Sequence, residues 1–402
     1  MMDAHHRLCL AQQLLELDDD QNDVLQQQQQ RRKQRRQRRW WCRPWLLRRP
    51  AFGQFEQLMV ELRVEDPVAF QTFVRFEPAM FQEMVDRLTP RISKIDTNFR
   101  KALDPGLKLA ITLRYLATGD TSKSLQYGFR VAYNTICLLI PDVCQAIVEE
   151  YKDEVVKTPS TPQEWMVVAN HMSNRWQYHH CLGAIDGKHI AIRKPMKAGS
   201  YYFNYKHFHS IVLMALVDGE YKFIWVDVGA NGPASDAQIF EDCELKLAID
   251  QDVIGFPPPD HLPADDKDMP YFFVGDDAFP LRTYMMKPYG RHGVDVDERI
   301  YNYRTSRCRR VSENAFGILA NRFGCLLTTM KFQPEKATSI VLGAICCHNL
   351  MRMRYAGLQN GVMDREDDNN QLIPGEWRQG NTWEQHLQRI PGNRETNAGK
   401  QQ

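Results

Sequence analysis

Residues 181–195 read CLGAIDGKHIAIRKP, an apolar run that ends in one carboxylate, Asp186, and resumes after Gly187. Two physical readings compete for this stretch. Asp-Gly between apolar runs is a leading signal for a two-residue hairpin turn, with no chemistry implied. A strand that delivers a carboxylate beside a tight turn is also a good way to aim a hard oxygen ligand into a cleft. The chain carries its own comparison at Asp218-Gly219 in LVDGEYKFIW, which reads as such a turn. Taken alone, Asp186 is a turn residue, and only other segments can raise its standing.

Two segments do so. YFFVGDD places Asp276 and Asp277 after a short apolar strand, and RRVSENAFGILANRF places Glu313 inside a helical pattern. Each has a bland reading, a capped turn before Pro280 and a solvated helix face. The set is what argues for chemistry: Asp186, then Asp276 ninety positions on, then Glu313 thirty-seven further. Around Glu313, the apolar residues Val311, Ala315, Phe316, Leu319 and Phe323 can face a core, and Gly317 and Ala320 allow close approach of a sheet. Arg307, Arg309 and Arg310 lie one or two turns earlier, where cations would receive the phosphates of a polymer. Three hard-oxygen carboxylates suit Mg²⁺ or Mn²⁺, and two such ions about 4 Å apart serve in-line phosphodiester displacement.

The rest of the chain sets the context. Its 402 residues allow one large domain, a smaller one and tails, and 43% hydrophobic with 25% charged residues is ordinary for a globular protein. The net charge of +1 hides a local asymmetry: from Arg31 to Arg49 ten of nineteen positions are Arg or Lys and none is acidic. That run reads as a nuclear address, a phosphate-gripping arm or a solubilising tail. Asp18, Asp20 and Asn22 fail as a calcium loop, because Asp23 stands where Gly is required and Gln29 where Glu closes the loop. Ten cysteines without a C-x-x-C pair read as reduced, buried thiols. The best apolar runs fall short of the roughly 20 residues that span a bilayer, so no membrane partner is expected.

Residues 55–155 read as helices. Leu109, Leu113 and Leu116 recur on one face with Gly119 as a stop, Asp120, Thr121 and Ser122 offer caps for a short helix through Tyr127, and Gly128 makes a turn. A third helix begins near Tyr133, buries Ile136, Leu139 and Ile140, and is bent or interrupted by Pro141. This is helix-turn-helix spacing, with Arg130, Tyr133 and Asn134 where a recognition helix meets DNA; an ordinary helical bundle remains an equal alternative. TPSTP at 158–162 is a linker. Beyond it, strands are expected at 182–185, 190–192, 211–217, 223–228, 271–274 and 285–287, and helices at 235–249, 305–323 and 335–354. The fold class expected is α/β, a mixed sheet flanked by helices, preceded by a small all-α, helix-turn-helix-like domain.

The segments CLGAIDGKHIAIRKP, SYYFNYKHFHSIVLMALVDGEYKFIWVDVGANGPASD, YFFVGDDAFPLRTYMMKPY and NYRTSRCRRVSENAFGILANRF closely resemble the PIF/Harbinger transposases and their host-domesticated nuclease relatives. The resemblance runs from about Trp41 to Arg352. It implies an RNase H-like core and a DDE triad of Asp186, Asp276 and Glu313, which would be the catalytic and metal-binding residues. The family's GD step favours Asp276 over Asp277. Asp236 in GPASD matches a recurrent acid of structural or auxiliary role, and the HNL at His348–Leu350 suits a helix-packing hydrogen bond. The implied organisation is a disordered Gln/Arg-rich tail at 1–50, a helical domain at 51–160, a nuclease domain at 161–355 and a mobile polar tail at 356–402. The function implied is divalent-metal-dependent cleavage of DNA, in the nucleus, with or without strand transfer, and with a separate Myb-like DNA-binding protein as partner. The rival reading is a domesticated adaptor that binds DNA or protein and no longer cuts. A metal phosphatase lacks the His/Asp clustering it would need.

Overall fold

β1 (Cys181–Ala191) runs without interruption through Asp186 and Gly187 in the computed structural model, which describes residues 42–97, 101–290, 293–354, 365–366 and 372–373. The hairpin expected at Asp186-Gly187 is therefore not there: one eleven-residue strand replaces two short ones. Asp218-Gly219 does make a turn, with Asp218 Oδ1 accepting from the backbone N–H of Glu220 and of Lys222, both at 2.9 Å. The expectations for the polyglutamine tract, the basic run 31–39 and the polar tail lie outside the described residues.

The chain divides into two units, residues 1–48 and 49–402. In the first, the described part holds a single helical turn, Pro44–Leu47. All that follows concerns the second.

Its sheet is mixed and five-stranded. β1 lies between β2 (Ser210–Val217), which is antiparallel to it, and β4 (Phe272–Val274), which is parallel. β3 (Phe223–Asn231) flanks β2, and β5 (Met285–Met286) flanks β4 in parallel, giving the order β3-β2-β1-β4-β5. β2 is buried along its whole length. Its alternate side chains enter two separate apolar clusters, Ile211, Leu213, Ala215 and Val217 on one face, and Val212, Met214 and Leu216 on the other. Each of its Ile, Leu, Val and Met side chains contributes about 1.5–3 kcal/mol on burial, which is why this central strand is apolar on both sides.

Helices cover both faces. α1 (Leu58–Glu65), α2 (Pro67–Val74), α3 (Pro78–Ile92), α4 (Pro105–Thr118), α5 (Ser122–Phe129) and α6 (Tyr133–Val155) form the helical region. Gly119 ends α4 in the left-handed conformation and Thr121 caps α5, as the sequence suggests. Gly128 is instead inside α5, and Arg130 at φ 50° makes the turn. The chain bends by 103° between α5 and α6, and Pro141 sits within a continuous α6. No single helix among the described residues is long and apolar enough to cross a membrane.

α7 (Pro162–Trp176) follows the linker, capped by Thr161. The helix expected over 235–249 is two, α8 (Asp236–Glu241) and α9 (Glu244–Asp250), because Cys243 leaves the helical conformation and caps the second. α10 (Val296–Arg322) starts nine residues before expectation, at a capping box of Asp295 and Glu298. α11 (Pro334–Arg354) completes the unit. α10 and α11 cover one face together with the helical region, whose side chains share their cluster from Met59 to Met351.

The HNL segment joins these layers. Asn349 donates to Val155 O at 2.7 Å and Phe223 O at 2.8 Å, and accepts from Phe223 N at 3.0 Å. His348 Nε2 meets Tyr221 O at 2.9 Å, and burial holds that imidazole well below its ordinary pKa.

Candidate active site

Register brings Asp186 and Asp276 together. Ala184 of β1 pairs with Val274 of β4; Asp186 stands two residues further along β1, and Asp276 two residues past the end of β4. Ala184 lies on the face covered by α10, so Asp186, two residues on, leaves the sheet on that face, and the Asp276 charge bears on it. A bulge sets this direction. Cys181 and Ala184, three residues apart, face the same side because Gly183, at φ 135°, absorbs one residue. Without it the alternation of β1 would turn Asp186 to the opposite face.

Asp236 arrives from the other side. It opens α8, and its carboxylate rests on Gly187: a Cβ at that glycine would overlap Asp236 Oδ1 and Oδ2. The Asp-Gly pair thus serves close approach rather than a turn.

The electrostatics follow from this gathering. Burial pushes the Asp186 carboxyl up to about 7; Arg309 opposes the rise, Asp236 and Asp276 add to it, and the Gly187 N–H, donating to Oδ1 at 2.9 Å, lowers it. Asp236 is likewise raised by burial and by Asp276, with Lys206 opposing. Lys188, two residues along the same face from Asp186, is lowered to about 8 by burial, and its ammonium lies over the Phe316 ring.

α10 contributes more than one group. The Ser312 hydroxyl donates its one proton to Arg309 O at 2.9 Å, and its oxygen lies 3.5 Å from Asp186 Oδ2. Glu313, the next residue, is the only exposed position from Val311 to Ala320. Its carboxylate faces solvent. Asp277 is exposed and outside the group; it takes part only through its backbone carbonyl, which accepts from Lys287 Nζ at 3.2 Å.

The remaining sequence candidates are placed as follows. Arg309 bears on Asp186, Arg307 donates to Gln177 Oε1 at 3.5 Å, and Arg310 is half-buried on the same helix. Arg130 is turned back on its own region, donating to Phe52 O at 3.2 Å with its guanidinium over the Phe52 ring. Tyr133 and Asn134 are exposed at the start of α6. Ser312, Lys188 and Lys206 had no signal in the sequence; Gly187 had one, which pointed to a turn.

The donor set suits a divalent cation: hard oxygens, and neighbouring like charges that a cation would relieve. As the side chains lie, no three carboxylate, imidazole or thiol groups among the described residues converge on one ion. Donor chemistry fits, and side-chain rotation is needed to close around a metal.

Comparison with known proteins bears on this region. Residues 185–349 match the family described as DDE superfamily endonuclease. "Putative nuclease HARBI1" of Homo sapiens is 22% identical over 270 residues, 66% of this chain and 72% of that protein. Its Xenopus laevis counterpart is 21% identical over 304 residues, 74% and 83%. "Protein ALP1-like" of Arabidopsis thaliana is 20% identical over 317 residues, 76% of each. No solved structure matches the chain significantly.

Proposed function

From the premise that residues 185–349 are a domain of the DDE superfamily endonucleases, we propose that the protein is a transposase-derived, divalent-metal-dependent DNA endonuclease with an RNase H-like core. One observation carries this reading: Asp186 on β1 and Asp276, just past the end of the adjacent parallel strand β4, are close enough for their charges to act on one another, beside a helix whose single exposed residue in its packed stretch is Glu313. Those three residues would hold Mg²⁺ or Mn²⁺, which when bound activates water and stabilises the leaving oxygen of a phosphodiester. Asp236 is an auxiliary carboxylate, fixed against Gly187. Arg309 and Lys206 supply positive charge on either side for the phosphates of the substrate strand.

The test is cleavage of plasmid DNA in Mg²⁺ or Mn²⁺ by the full chain and by Asp186→Asn, Asp276→Asn and Glu313→Gln. Loss of a ligand should cost more than the roughly 10- to 100-fold typical of outer-shell partners. Equal cleavage by wild type and variants overturns the reading.

A second reading, an adaptor that binds DNA without cutting it, is favoured by the absence of three converging ligands among the described residues. It predicts DNA binding by the wild type and all three variants, with no metal-dependent nicking by any. In either case the basic run 31–39 is read as a nuclear address, and a DNA-binding partner protein as the source of targeting.

A further inference from the structure

Between Asp186 and Asp218 the chain contains no acidic residue, while Lys188, Arg193, Lys194, Lys197 and Lys206 supply five cations. The middle of this stretch is the connection from β1 to β2, residues 192–209. Three of its rings are turned to solvent: Tyr205 is 73% exposed, Tyr201 61% and Phe203 40%. Three exposed rings at alternate positions of one short connection are a surface that a ligand could cover.

The connection is built, not loose. Phe203 and His209 form an antiparallel bridge, Ser210 N donates to Tyr202 O at 2.8 Å, and Asn204 N donates to Phe208 O at 2.9 Å. Asn204, 3% exposed, fixes the tip: its Oδ1 accepts from the backbone N–H of Lys206 at 3.0 Å and of Phe208 at 3.2 Å, and its Nδ2 donates to Ser210 Oγ at 2.8 Å. Ser210 Oγ meets His189 Nδ1 at 3.0 Å, and the His189 ring stands edge-on to Tyr205 with centroids 5.4 Å apart. The hairpin is thus tied to β1 three residues from Asp186. Lys206 lies over the Tyr205 ring at 5.3 Å, and its charge bears on Asp236.

We propose that this hairpin is a stacking platform for unpaired bases of the DNA strand presented to the acid cluster, so that the substrate is single-stranded or locally opened at the cut. The inference rests on the endonuclease reading for the identity of the site. It adds the state of the strand. Rings give every base a face to stack on, and the cations of the connection, Arg193, Lys194, Lys197 and Lys206, follow the backbone; this pairing of groups is the chemistry of sequence-tolerant single-strand binding. Cations alone would suit an acidic protein segment equally; the exposed rings beside them are what favour bases.

The test is equilibrium binding by the full chain in EDTA, so that no turnover is involved. The probes are a fluorescein-labelled oligothymidylate of about 12 nucleotides and an abasic strand of equal length. Wild type should bind the oligothymidylate more tightly than the abasic strand. Tyr205→Ala and Phe203→Ala should each bind it about 5- to 100-fold more weakly and lose the preference, while Tyr205→Phe retains both. Lys206→Ala should weaken both probes alike and flatten the salt dependence. Equal binding of the two probes by wild type, or unchanged binding by both alanine variants, overturns the proposal and leaves the rings to a protein partner. Because plasmid cleavage is read separately, loss of the endonuclease reading would leave the binding result standing, and the reverse.

Discussion

The Asp236 carboxylate occupies the volume that any side chain at Gly187 would need, which ties the start of α8 to the strand carrying Asp186. Gly187→Ala should therefore displace Asp236 without emptying the core. The expected outcome is a fall in metal-dependent cleavage of roughly 100-fold, the scale of a misplacement of about 1 Å. Thermal melting should change little. A variant with full activity would show that Asp236 has no part in positioning the site.

Gly183 provides a second handle on the same strand. At φ 135°, with Val217 O 2.8 Å from a Cβ built there, it resists any side chain. Gly183→Ala should destabilise the protein by about 1–3 kcal/mol through backbone strain, read by denaturant titration. Cleavage should fall further than stability explains, because the bulge decides the face on which Asp186 emerges.

His189 predicts a pH dependence. Burial, with Lys206 nearby, lowers it to about 4, below its unfolded value of about 6.5. A base with a depressed folded pKa leaves the unfolded chain binding more protons between those values, so stability is fully present above about pH 6.5 and lost as pH falls toward 4. Between pH 7 and 5 the loss should be of order 1–2 kcal/mol after allowance for solvent screening. His189→Gln should flatten the melting temperature over that window.

Asn349 is the expected weak point of the scaffold. Asn349→Ala strands Phe223 N, Phe223 O and Val155 O in the interior, at a cost of order 3 kcal/mol. Melting temperature and denaturant midpoint should both drop, while the affinity of the refolded protein for single-stranded DNA should not change.

How much of this was legible in the sequence varies by residue. The apolar runs of β2 and of α11 read correctly because burial on two sides demands continuous hydrophobicity. Asp218-Gly219 read correctly because its turn is local. Asp186-Gly187 has the same letters and a different structure. There the glycine answers to Asp236, forty-nine positions away, and no local pattern carries that contact. The bulge at Gly183 depends on pairing with both β2 and β4 and is equally invisible. Other misses had signals: Asp295 with Glu298 is a capping box that marks the true start of α10, and Thr161-Pro162 marks the start of α7. Glu313 could be placed on a helix from periodicity, but its isolation as an exposed residue depends on packing from several elements.

The central claim, that Asp186, Asp276 and Glu313 form a divalent-cation centre, is tested most directly by anomalous diffraction from crystals of the full chain soaked in Mn²⁺. The account predicts an anomalous peak held by Asp186, Asp276 and Glu313, and its disappearance in Asp186→Asn. No peak at saturating Mn²⁺, or a peak held by other residues, would contradict it.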